Sequence, residues 1–213
     1  MDFEEAMRAA ARIADDAVTN TMADYAGAHI TDEDDVTPYL LGSLKTALTG
    51  QIGGLTWEAS VARHRKGIAA EEQKTGADFL IHVHLETPTD TFSKGVLVQA
   101  KRFEPGQHMS AQEHDALTEQ CNKMLQISAS SFVFDYAKDG VRVGSATRVE
   151  GADSCDLHSV CNWTSYRFFL ELFRCPIGDP RITSALVDEL PIPQALALKA
   201  SGEFRRRGRQ FRG

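Results

Sequence analysis

Two apolar runs separated by a turn constrain this chain more than any other feature. Residues 79–85, Phe79-Leu80-Ile81-His82-Val83-His84-Leu85, alternate and have the composition of a strand. Pro88, Asp90 and Ser93 mark a turn, and residues 95–101, Gly95-Val96-Leu97-Val98-Gln99-Ala100-Lys101, read as a second strand. Paired as a hairpin, the end of the second run returns to the start of the first, where Asp78 stands. Successive strand side chains point to opposite faces, so Gln99 and Lys101 share a face while Ala100 points away. An acid, an amide and an ammonium are thereby expected in one small volume at one end of a sheet.

The surrounding pattern is α/β. Residues 3–25 are Ala-rich with scattered acids and read as a helix. A second helix is expected from the acidic cluster at residues 31–35, with an Asp or Thr cap and an apolar face of Val36, Leu40, Leu41, Leu44 and Leu48. Gly50, Gly53 and Gly54 end it, and residues 56–61 are expected to open the sheet. Residues 108–128 read as a helix, 131–136 as a strand, and 141–143 as its partner across the Lys138-Asp139-Gly140 turn. A further helix is expected over 165–173. The composition thins out beyond Pro193, and residues 201–213 are expected to be a disordered basic tail. The expected organisation is a single domain over 1–200, with its core at about 32–149.

Composition narrows the class. At 213 residues with 42% hydrophobic content the chain can bury a core, and no apolar run approaches membrane-spanning length. The acidic start, Met1-Asp2-Phe3-Glu4-Glu5, is unlike a secretory signal, and four cysteines then suggest reduced thiols in a bacterial cytoplasm. The net charge of −7 is unevenly spread: ten acids against Arg8 and Arg12 put −8 on residues 1–36, leaving +1 elsewhere. The tail carries Arg205, Arg206, Arg207, Arg209 and Arg212 against Glu203. Such a distribution argues against indiscriminate duplex binding while leaving a local basic clamp open.

From Glu72 through Gly76-Ala77-Asp78 to Gln99-Ala100-Lys101, and over roughly residues 32–149, the chain resembles the PD-(D/E)xK nuclease superfamily. The closest form of the motif is the Gln-x-Lys variant of Mrr-like restriction and bacterial defence nucleases. The resemblance implies a restriction-endonuclease-like mixed sheet flanked by helices, here with an extra N-terminal helix. It implies a Mg²⁺- or Mn²⁺-dependent endonuclease, a hydrolase cutting DNA phosphodiester bonds in restriction or antiviral defence. Asp78 would be the principal metal ligand and the Ala100 backbone carbonyl a second, with Lys101 positioning the attacking water or stabilising charge. Gln99 departs from the commoner acid-x-Lys and holds a cation less strongly than a carboxylate. The site then needs another carboxylate, for which Glu72 and Glu33 are the candidates, with Glu71, Asp34 and Asp35 behind them. Gln120 matches a polar helix position directed at the site. The implied partners are DNA, a second copy in a homodimer, and a regulatory or defence-system protein, with no membrane.

Other readings compete. A catalytically silent nuclease-like scaffold that binds nucleic acid or a protein is the alternative function, and Gln99 and the acidic N-terminal region favour it. Cys155, His158, Cys161 and Cys175 have short spacings that a structural zinc site can use, although free cysteines as small core hydrophobes are the commoner case. His82 and His84 share a strand face with Asp78, where a partly solvated position is the simpler reading. Phe204 and Phe211, interleaved with the tail arginines, tilt the tail towards nucleic acid.

Overall fold

The computed structural model describes residues 2–30, 35–63 and 74–203. The first helix, α1 (Phe3–Ala26), opens on a reciprocal cap in which Asp2 accepts from the Glu5 backbone and Glu5 from the Asp2 backbone. Its buried side chains are mostly alanines at helical spacing, which let it lie close to the sheet. Next, α2 (Val36–Ala47) buries Val36, Leu40, Leu41 and Leu44, as its periodicity predicts. Asp35 is its N-cap residue, an Asp as expected, and makes no side-chain cap hydrogen bond.

The sheet begins with β1 (Gly50–Ile52) and β2 (Leu55–Arg63), one strand earlier than the sequence suggested. The hairpin of β3 (Phe79–Glu86) and β4 (Thr91–Arg102) follows, then α3 (Ala111–Ile127), β5 (Ser131–Ala137) and β6 (Gly140–Ser145). Short helices α4 (Ala146–Glu150) and α5 (Leu157–Val160) precede β7 (Trp163–Thr164) and α6 (Ser165–Arg174). The described chain closes with α7 (Ser184–Glu189) and β8 (Gln194–Ser201).

These strands form one eight-stranded mixed sheet in the order β1-β2-β8-β3-β4-β5-β6-β7. Strand β8 is a correction to the sequence reading, which placed no element beyond Pro193 and began the tail at Ser201. It runs parallel to β3 and antiparallel to β2, inserting between them. Alternation then sorts the core into two layers. Phe79, Ile81, Val83, Val96, Val98, Phe132, Phe134, Leu196 and Leu198 face α1, α2 and α6. Leu80, Leu97, Val133 and Ala195 face the other way, against Leu117, Cys121 and Met124 of α3 and the short helices. Phe134 and Phe168 meet edge-on with centroids 5.0 Å apart, tying α6 to the first layer. Among the described residues no helix is long and apolar enough to cross a membrane.

Candidate active site

The register of the β3–β4 hairpin creates the site. Pairing ends at Phe79 opposite Val98, and β4 continues to Arg102 with β5 alongside it. The side of β4 that β3 leaves uncovered has a backbone donor to satisfy, and Asp78 satisfies it. The Asp78 backbone N–H donates to the Val98 carbonyl at 2.9 Å, which holds the residue at the end of the ladder. Its Oδ2 accepts from the Ala100 N–H at 2.7 Å and from Gln99 Nε2 at 2.7 Å. Gln99 Nε2 also donates to the Ala100 carbonyl at 3.0 Å. Asp78 Oδ2 and the Ala100 carbonyl oxygen therefore converge on a single point, which an amide nitrogen fills. Gln99 itself is 1% exposed, and its Oε1 is buried with no hydrogen-bond partner among the described residues.

Gly76 explains the lead-in to Asp78. Its φ is +72°, and a Cβ there would lie 2.3 Å from the Gln120 carbonyl oxygen of α3. Only glycine lets the helix backbone come this close, and that contact places α3, with Gln120 half-buried on it, beside the Asp78 strand end. Lys101 is half-buried on the Gln99 face and pairs in register with Asp135. Its charge reaches α3. The Ser110 cap bonds hold the Glu113 carboxyl below its ordinary range, with Lys101 adding to the effect. Burial pushes the Cys121 thiol up to about 12, and Lys101 opposes that push.

Two residues of the neighbourhood escaped the sequence reading in their present role. Asp135 is 0% exposed; it accepts from the Phe103 N–H at 2.9 Å through Oδ1 and faces His158 Nδ1 at 3.2 Å through Oδ2. Burial pushes its carboxyl up to about 6, against the Phe103 and His158 hydrogen bonds. The only signal for it was a lone acid in the middle of an apolar strand. His158 was weighed solely as a zinc ligand, and its ring turns to Asp135 instead. Cys161 is buried in the second core layer, Cys175 is exposed at the end of α6, and no group of three metal-ligating side chains occurs among the described residues. His82 is also a correction, being 2% exposed rather than partly solvated, with Nε2 2.9 Å from Ser93 Oγ. Glu33, Glu72, Glu71, Asp34 and the five tail arginines lie outside the described residues.

The donor set at the convergence point suits a hard cation. A carboxylate oxygen and a backbone carbonyl already meet there, and the orphaned Gln99 Oε1 is a third oxygen within the same side chain. Mg²⁺ and Mn²⁺ take oxygen ligands and retain waters, so few protein oxygens suffice. A cavity of about 480 Å³ opens elsewhere on this face, lined by Glu58, Ser60, His82, His84, Ser184 and Lys199. It includes none of Asp78, Gln99 or Lys101, so the convergence of acceptors at the β4 strand end lies apart from this cavity. No protein-family model, curated protein or solved structure matches this chain, so the reading of the site rests on its own geometry and the motif resemblance.

Proposed function

We propose that this chain is a divalent-metal-dependent endonuclease hydrolysing DNA phosphodiester bonds, on a restriction-endonuclease-like core of β3, β4, α3 and β5. The observation that carries the reading is the meeting of Asp78 Oδ2 and the Ala100 carbonyl at one point on the strand end that bears Lys101. A bound Mg²⁺ or Mn²⁺ would supply Lewis-acid charge and a hydroxide source at neutral pH. Asp78 and the Ala100 carbonyl would hold it. The Ala100 N–H fixes the Asp78 carboxylate so that little reorganisation accompanies binding. Lys101 holds the attacking water and offsets charge developing on the phosphoryl oxygens. Arg102, exposed one residue on and bonded to the Tyr25 hydroxyl at 2.8 Å, extends positive charge towards the DNA backbone. Cutting both strands of a duplex takes two such sites, so a homodimer is the proposed assembly. Restriction or anti-phage defence in a bacterial cytoplasm is the proposed setting.

A second reading, a silent scaffold binding nucleic acid or a protein, is favoured by one observation. Gln99 Nε2 itself satisfies Asp78 Oδ2, and a site of this kind can persist without chemistry. Supercoiled plasmid and single-stranded DNA incubated with Mg²⁺ or Mn²⁺ separate the two. Nicking or linearisation by the wild type that Lys101→Ala and Asp78→Ala each reduce more than 100-fold supports the endonuclease. DNA binding without cleavage under every metal condition supports the scaffold.

A further inference from the structure

The hydrogen bonding of Gln99 is unbalanced. A side-chain amide has two N–H donors and an oxygen with two lone pairs. Both donors are engaged, one on Asp78 Oδ2 and one on the Ala100 carbonyl, while Oε1 is sealed from solvent with no donor among the described residues. The nitrogen occupies the place where a cation would sit between those oxygens. A glutamate there has no proton to give at neutral pH, and its carboxylate would repel Asp78 across the same gap. The amide makes the empty site self-complementary.

At 1% exposure the side chain has no room to swing aside. It can turn about its terminal bond, because that torsion is soft and two-fold and the amide's oxygen and nitrogen ends have nearly equal size. From these observations we infer that Gln99 is a two-position amide lock. Its nitrogen faces Asp78 and Ala100 when no divalent cation is present, and its oxygen faces inward when one is bound. This rests on the proposed cation site and specifies how that site is regulated. Cation entry competes with the two hydrogen bonds from Gln99, so resting occupancy is low and rises with cation supply. The turn moves the oxygen from a position with no donor among the described residues onto a cation, and the NH₂ group takes the position the oxygen leaves.

The test uses the full chain, with Mn²⁺ alone titrated by calorimetry and Mg²⁺ alone followed by side-chain amide NMR. The Gln99 NH₂ signals are assigned in the wild type by through-bond correlation to the Gln99 backbone. The expected result is a shift of both Gln99 NH₂ signals on Mg²⁺ saturation. Gln99→Glu should bind Mn²⁺ at least tenfold tighter, melt lower than wild type without metal, and gain more in Tm when Mn²⁺ is added. Asp78-dependent Mn²⁺ binding with unmoved Gln99 signals at Mg²⁺ saturation overturns the lock and leaves the cation site standing. Absence of Asp78-dependent cation binding in both wild type and Gln99→Glu overturns the lock and the cation site together. The NMR measurement on wild type decides the matter even where the Glu variant fails to fold.

Discussion

The two ends of the β3–β4 hairpin bury polar groups in different ways. At the Asp78 end, three residues share one hydrogen-bond network, and two acceptors, Asp78 Oδ2 and the Ala100 carbonyl, meet at the single Gln99 amide nitrogen. Towards the turn, His82 has Ser93, and Lys94 has the Ile177 carbonyl at 2.6 Å with Cys175 and the Phe92 ring beside its ammonium. Burial pushes the Lys94 ammonium down to about 8, with Cys175 opposing, and pushes His82 down to about 4, with His84 adding to it. The first arrangement gathers two oxygen acceptors at one point. The second spends stability on buried groups that are met one by one by local partners.

Breaking the first end should have the largest effect. Gly76→Ala drives a methyl into the Gln120 carbonyl and requires a left-handed backbone, at about 3–5 kcal/mol. Urea unfolding should read that loss, and cleavage should fall with it because α3 is displaced from the site. The same change at exposed Gly106, where nothing lies within 4 Å, isolates the backbone contribution.

Removing a charge at the second end should do the opposite. Lys94 has a folded pKa near 8, below its ordinary value, so its penalty appears as pH falls from 10.5 through 8 and is fully present at pH 7. Lys94→Met should therefore raise stability at pH 7 by about 1–3 kcal/mol and by less at pH 10, as thermal unfolding at both values would record. Equal effects at the two pH values would show that the lysine's charge is already compensated.

His82 works on the acid side. Its folded pKa near 4 lies below the unfolded value of 6.5, so the unfolded chain takes the proton first and stability is lost as pH falls from 6.5 through 4. His82→Gln, which keeps a partner for Ser93, should flatten that limb by about 2 kcal/mol in pH-dependent melts.

Asp135 gives the smallest effect and the reverse sign. Its raised pKa means that its contribution is present below about 3.8 and lost as pH rises through about 6. Asp135→Asn keeps an acceptor for the Phe103 N–H and should remove a loss of about 1 kcal/mol between pH 4 and 6. A larger fall in cleavage than in stability would place the Asp135–His158 pair in the chemistry beside Lys101.

How much of this was legible follows from what each residue answers to. The run at 79–85, the helix over 108–128 and the hairpin at 131–143 imprint the period of their own element, because one buried face repeats every two or every 3.6 residues. Their order alone placed Asp78 opposite Gln99. Strand β8 left a weaker mark. Its alanines suit either face and either secondary structure, while the leucines that alternate, Leu196 and Leu198, number too few to outweigh them.

From local pattern alone, then, this sequence determined the β3–β4 hairpin, the helix that crosses to β5, and the meeting of Asp78 with Gln99 at the strand end that carries Lys101. Tertiary structure decided the insertion of β8 between β2 and β3, the pairing of Asp135 with His158, and which end of the Gln99 amide faces Asp78. The first group is governed by contacts between near neighbours along the chain. The second depends on surfaces brought together from distant segments, such as β3 with β8 and β5 with α5, and on the hydrogen bonds those surfaces leave to be satisfied.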